Sequence, residues 1–187
     1  MLVSFTGAQC TGKTTLLKKC KCEDTFTGWE YVDEVTRKVQ RGGNNINESG
    51  DDTTQLFILS EHLHNHQKRD IHYMLDRCIL DGYVYTKWLH QNGRVSKWVL
   101  NYADNLLSHL IDNVDIVFYT QPEDVPLVDD GVRSVNIDFR QDILNIYEEL
   151  FSRNCPWMNK LVRLHGGIAA RMNTILNKID EKTNIRQ

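Results

Sequence analysis

The chain has 187 residues, 41% of them apolar, which suits one domain with a sizeable core rather than two. A formal charge of -3 excludes a surface that is basic throughout, while leaving room for a local basic groove. No stretch approaches the roughly 20 apolar residues that cross a bilayer, and the five scattered cysteines make neither a disulfide framework nor a four-ligand zinc pattern, so a soluble cytoplasmic protein without a signal peptide or membrane partner is expected.

The first predicted strand, Leu2 to Thr6, passes straight into Gly7-Ala8-Gln9-Cys10-Thr11-Gly12-Lys13-Thr14, the G-x-x-x-x-G-K-[ST] pattern. Gly7 and Gly12 let the backbone turn its N–H groups onto phosphates, and Lys13 brings a mobile charge to the β and γ groups. Thr14 offers a hydroxyl to Mg²⁺ and opens a helix predicted from Thr15 to Cys20, whose N-terminus adds partial positive charge. The cofactors this pattern implies are ATP and Mg²⁺; the plain alternative is an ordinary glycine turn.

A second strand, Trp29 to Val32, is followed by Asp33 and Glu34, with Arg37 three residues on. Ligands of doubly wound sheets bind beyond the carboxyl ends of the strands, so Glu34 is placed to orient or deprotonate a hydroxyl and Arg37 to bind charge on the acceptor or the triphosphate. A solvated ion pair is the competing reading. After a glycine- and asparagine-rich loop at 41–51, Asp52-Thr53 serves as N-cap for an apolar stripe of Leu56, Leu59 and Leu63, continued at helical spacing by Ile71, Met74 and Leu75. His62, His64 and His66 alternate along this helix and so point in directions too divergent to close on one ion.

Cys78 to Leu80 is predicted as a short strand closing on Asp81, the position from which a second carboxylate reaches the Mg²⁺ of the loop. Tyr83, Tyr85 and Trp88 follow, either as walls of an acceptor pocket or as core packing. Further on come a helix marked by Val95 to Leu106, a strand Ile116 to Thr120, a helix marked by Ile143 to Leu150, a strand Leu161 to His165 and a final helix marked by Ile168 to Ile179. The segment 121–140 carries Arg133 and Arg140 and reads as a lid able to close guanidinium groups over a triphosphate. Arg171, after Gly166-Gly167, falls where an adenine ring commonly rests. The alternation of short apolar runs with amphipathic stretches gives an α/β fold with five parallel strands covered on both faces.

The loop GAQCTGKTT, the Glu34-x-x-Arg37 pair, the acid at Asp81 and the lid-like Asp130-Gly131-Val132-Arg133-Ser134 together resemble the nicotinamide riboside kinase-like P-loop kinase family of AAA-type NTPases, in order from residue 1 to about residue 151. The resemblance implies a three-layer P-loop kinase fold with a lid, and ATP-dependent transfer of a phosphoryl group to a hydroxyl. It carries Lys13 and Thr14 over as phosphate and metal contacts, with Thr15 beside them, Glu34 or Asp81 as acceptor-side carboxylates, and Arg133 as a lid arginine. Relatives in phage genomes look like kinases of 5-hydroxymethyluracil within DNA, so the acceptor is either a nucleoside-like small molecule or a modified base in DNA. Two departures stand out: 187 residues leave no room for an adenylyltransferase or DNA-binding module, and Cys10 replaces the more usual small hydroxyl residue. A rival reading is a nucleotide-driven switch that hydrolyses ATP with no phosphorylated acceptor.

Overall fold

The computed structural model describes residues 1–68, 70–122, 134 and 136–184. Five strands form one parallel sheet: β1 (Leu2–Thr6), β2 (Glu30–Val32), β3 (Tyr73–Asp76), β4 (Ile116–Thr120) and β5 (Leu161–Leu164), in the spatial order β2-β3-β1-β4-β5. Strand β1 lies at the centre because all five of its residues are buried, as a strand covered on both faces requires. Its alternation divides the core: Leu2 faces one apolar cluster, Val3 and Phe5 the other.

The first cluster is closed by α3 (Asp52–Asn65), α4 (Ile79–Gln91), α5 (Lys97–Leu110) and α6 (Ile137–Ser152), through Leu59, Ile79, Val99 and Ile143 among others. The second is closed by α1 (Lys13–Cys20) and α7 (Ile168–Asn184), through Leu16, Leu17, Met172 and Ile175. A short helix α2 (Val35–Arg41) packs beside α3 through Val39 and Ile58. The result is the three-layer α/β architecture expected of a P-loop kinase-like fold, with every strand pointing its carboxyl end toward the loop at residues 7–13.

Three sequence expectations need correction here. The strand at 78–80 does not exist; β3 is Tyr73–Asp76, and Ile79 and Leu80 open α4. Tyr-Met-Leu-Asp and Cys-Ile-Leu are both short apolar runs, and periodicity alone cannot tell which of two such runs is the strand. Pairing settles it: Met74 and Leu75 register against Val3 and Ser4 on one side and Tyr31 and Val32 on the other. The stripe from Leu56 therefore ends with α3 at Asn65 and does not continue through Met74. The N-cap of α3 is Asp51, whose carboxylate accepts from the Thr54 N–H at 2.9 Å, one position before the pair expected.

Candidate functional site

The phosphate loop joins β1 to α1, and its shape depends on two glycines with positive φ. At Gly7 (φ +136°) a Cβ would come within 2.5 Å of the Thr120 carbonyl oxygen, so only glycine lets the loop lie against the tip of β4. Gly12 (φ +88°) turns the chain into α1, whose first turn has no side-chain cap. Its leading N–H groups thus remain for an anion, with Thr15 exposed beside them. Lys13 is buried and donates through Nζ to the Gly7 carbonyl at 2.8 Å, to the Ala8 carbonyl and to the Thr11 hydroxyl. Burial, helped by the nearby Arg77 charge, lowers its ammonium from 10.5 to about 7. A polyphosphate arriving on the loop would supply the negative charge that this buried cation lacks.

The carboxylate beside the loop is Asp76, the last residue of β3. Its Oδ2 accepts from the Thr14 hydroxyl at 2.6 Å, while its buried Oδ1 has no partner among the described residues. Burial and the Glu34 carboxylate push Asp76 up from the usual carboxylate range. A threonine hydroxyl beside a carboxylate oxygen that lacks a donor is the oxygen-rich arrangement Mg²⁺ prefers, so the residues present fit that ion.

The next residue, Arg77, leaves the strand at φ +84°, a left-handed conformation that a long side chain adopts only where the surroundings enforce it. Its buried guanidinium donates through Nε to Glu34 at 2.6 Å, and through Nη1 to Asp81 at 2.7 Å and to the Gly7 carbonyl at 3.3 Å, and it lies 5.3 Å from the centre of the Tyr85 ring. Asp81 occupies the first turn of α4. One of its oxygens takes the Arg77 bond, and the other accepts from the Thr6 hydroxyl at 2.7 Å and the Cys78 N–H at 3.1 Å. Glu34, just before α2, is also within 3.4 Å of Arg37. Two buried carboxylates and one buried guanidinium therefore form a single network that touches the phosphate loop.

This network forms one wall of a pocket between α3 and α4. The other walls are Gln9 from the loop, Gln55, Ile58 and His62 from α3, Gly82 and Tyr85 from α4, Thr36 from α2, and Asn47. Cys10, Asn47 and Arg77 are the non-glycine residues with positive φ among those described, and all three lie in the loop or the pocket wall. Gln9 is held at one end, its Oε1 accepting from the Tyr85 hydroxyl at 3.0 Å, while its buried Nε2 has no partner among the described residues. The same is true of the buried Nδ1 of His62. A buried polar group left without a partner costs about 1–3 kcal/mol. Burial, with His66 and Arg77 nearby, holds His62 well below its ordinary value, so the ring is neutral. On the other side of Glu34 a broad open groove runs from Thr14 and Asp76 past Asp33, Arg37, Lys38 and Arg41.

A family model described as an AAA domain (AAA_28) matches residues 2–171. The chain belongs to this AAA domain family. Solved structures share its fold, including two with bound ligands. A deoxyadenosine kinase from M. mycoides, with the products dCMP and dCDP bound, aligns with a TM-score of 0.69 at 15% identity, over 97% of this chain and 99% of that one. A NadR protein in complex with NR aligns with a TM-score of 0.70 at 18% identity, over 98% of this chain and 51% of that one, so this AAA domain spans about half the length of NadR. No curated protein matches it significantly in sequence. Among its described residues no helix is long and apolar enough to cross a membrane.

The structure of this AAA domain brings Lys13, Thr14, Glu34, Arg37 and Asp33 around the loop and the adjoining groove, as their sequence positions suggested. Asp81 is different. With the strand moved to 73–76, the acid at the strand tip is Asp76, and Asp81 holds Arg77 and Thr6 instead of facing Thr14. Tyr85 lines the pocket, whereas Tyr83 is buried with its hydroxyl 3.4 Å from Arg153, and Trp88 packs on Phe139 and donates to Asp142. Arg171 is buried and donates to the carbonyls of Gly166, Thr11 and Gln121, bracing the phosphate loop from behind. Arg140 lies in the first turn of α6, and its buried Nη1 has no partner among the described residues. Arg133, with Asp130 to Val132, lies outside the described residues. Sequence reasoning missed Asp76, Arg77, Gln9 and Gln55; the signal available was the Asp-Arg dipeptide closing an apolar run, Tyr73-Met74-Leu75.

Proposed function

We propose that this protein transfers the γ-phosphoryl group of ATP to a hydroxyl of a nucleoside-like acceptor. The observation that carries the reading is the buried Glu34–Arg77–Asp81 network, which touches the Gly7 carbonyl of the phosphate loop at one side and lines a pocket at the other. A nucleotide-driven switch needs the loop but has no use for a walled pocket containing a buried carboxylate.

In this reading the loop amides and Lys13 hold the β- and γ-phosphates, and Thr14 and Asp76 hold Mg²⁺, directly or through water. Bound Mg²⁺ supplies neutralisation of the charge on the bridging and terminal oxygens. Glu34 accepts the proton of the acceptor hydroxyl as its oxygen bonds to the γ-phosphorus and the bond to the β-phosphate oxygen breaks, releasing ADP. Arg77 holds Glu34 in place and lends positive charge beside the transferring group. Arg133, by its resemblance to a lid arginine, and Arg140 are assigned to the charge that spreads over the moving phosphoryl group.

Incubation with γ-labelled ATP and Mg²⁺ against free nucleosides, nucleoside monophosphates, and DNA with or without 5-hydroxymethyluracil tests the reading. Label on an acceptor supports it. Release of labelled phosphate with every acceptor unlabelled overturns it in favour of the switch.

A further inference from the structure

We infer that Gln9 and His62 form a recognition subsite that selects an uncharged acceptor, a free nucleoside with a neutral base, over both phosphorylated and cationic ones. The inference rests on the acceptor pocket proposed above and narrows what enters it.

The charges in the wall are already paired. Glu34 and Asp81 bring two negative charges, both bound by Arg77, and Arg37, which lines the groove on the other side of Glu34, sets a second cation against that carboxylate from behind. Each carboxylate of the wall is thus already bound by a guanidinium, and the guanidinium of the wall by both carboxylates. Among the described residues that line the pocket, a 5′-monophosphate finds no guanidinium or ammonium to spare, and a cationic ring finds no carboxylate to spare. Burying either kind of charge without a partner is strongly unfavourable, so the balance selects against both.

Two neutral side chains in the same pocket keep polar atoms unbonded among the described residues. Gln9 is 1% exposed and His62 2% exposed, and both side chains line the pocket. One end of the Gln9 amide is fixed by the Tyr85 hydroxyl, and the other has no partner among the described residues; the same holds for Nδ1 of His62. Its neighbour His66 cannot serve it, because Nε2 of His66 receives the Ile79 N–H at 3.3 Å and Nδ1 meets the His62 carbonyl at 2.7 Å. The His62 ring is also fixed in position. It packs edge-on to His66, and Gly82 gives it room, since a Cβ there would stand 3.1 Å from its Cδ2. An amide and a neutral imidazole, held rigidly and lacking partners, complement hydroxyl, carbonyl and ring-nitrogen groups. These are the groups an uncharged nucleoside carries.

The experiment pairs binding with turnover. Binding is measured by calorimetry on the full chain with a non-hydrolysable ATP analogue and Mg²⁺. The ligands are a panel of the common ribo- and deoxyribonucleosides, their 5′-monophosphates, and nicotinamide riboside as the cationic probe. At least one uncharged nucleoside is expected to bind about 100-fold more tightly than its monophosphate or the cationic probe. His62→Phe, which keeps the ring and removes the nitrogens, is expected to weaken that binding about 10- to 100-fold with the ATP analogue's affinity unchanged, and His62→Asn to recover part of the loss. Gln9→Met should act in the same direction. Tighter binding of a monophosphate or of nicotinamide riboside overturns the inference, as does phosphorylation confined to 5-hydroxymethyluracil DNA, no binding by any member of the panel, or a His62→Phe variant that binds its nucleoside normally. Nucleoside binding without label transfer would instead overturn the kinase reading and leave this one standing.

Discussion

The phosphate loop and the wall that faces it meet at Gln9, and their polar groups are in opposite condition. In the loop, Lys13 spends its hydrogen bonds on its own carbonyls, Thr11 bonds Ala8 and Thr120, and Arg171 fixes the Thr11 carbonyl. In the wall, Gln9 and His62 each keep a buried polar atom without a partner among the described residues. The loop holds its shape by internal bonding, whereas the wall is built of groups that gain from meeting something else. Polyphosphate loops work with any acceptor chemistry, so selectivity belongs to the wall.

The largest effect should come from Lys13→Ala, with transfer falling about 10³-fold or more because the charge at the β- and γ-phosphates is lost. Turnover at the wild-type rate in a label-transfer assay would break the contrast at its first point. Next is Arg77→Gln, which leaves Glu34 and Asp81 buried against each other without their shared cation. A loss of about 3–5 kcal/mol is expected, read as a drop of roughly 6–20 °C in Tm. An unchanged Tm would mean that the network is not buried as described.

Asp76→Asn keeps the bond to Thr14 sterically possible but removes the charge. Transfer should fall about 100-fold and the Mg²⁺ concentration for half-maximal rate should rise, whereas Asp81→Asn should lower Tm without moving that concentration. The reverse pattern in a Mg²⁺ titration would restore Asp81 as the metal-side acid. The smallest effect belongs behind the loop: Thr120→Val removes the hydroxyl that meets Thr11 at 2.6 Å and donates to the Thr6 carbonyl. It should cost about 1 kcal/mol, measured by denaturant unfolding, with the affinity for ATP nearly unchanged.

Much of this was legible in the chain itself. The loop announces itself by spacing, since Gly7, Gly12, Lys13 and Thr14 act through the backbone they are joined to. Glu34 was found because it follows a strand whose position was nearly right. Asp76 and Arg77 were missed because β3 is four residues long and its neighbours Cys78 to Leu80 are equally apolar; only the pairing with β1 and β2 distinguishes them. The roles of Gln9 and His62 depend on partners they lack, and no pattern of residues along a chain records an unmet hydrogen bond. The contacts of Arg171 are out of reach of the sequence for a related reason: its carbonyl partners lie up to 160 positions away.

Asp76 and Arg77 are consecutive, so the side chain assigned to the ion and the one assigned to the acceptor wall leave the backbone about 3.8 Å apart, the span of one trans peptide. Donor and recipient are thereby kept in phase by covalent geometry, with no hinge between them. Any insertion or deletion at that bond would throw the two half-sites out of step, however well each survived alone.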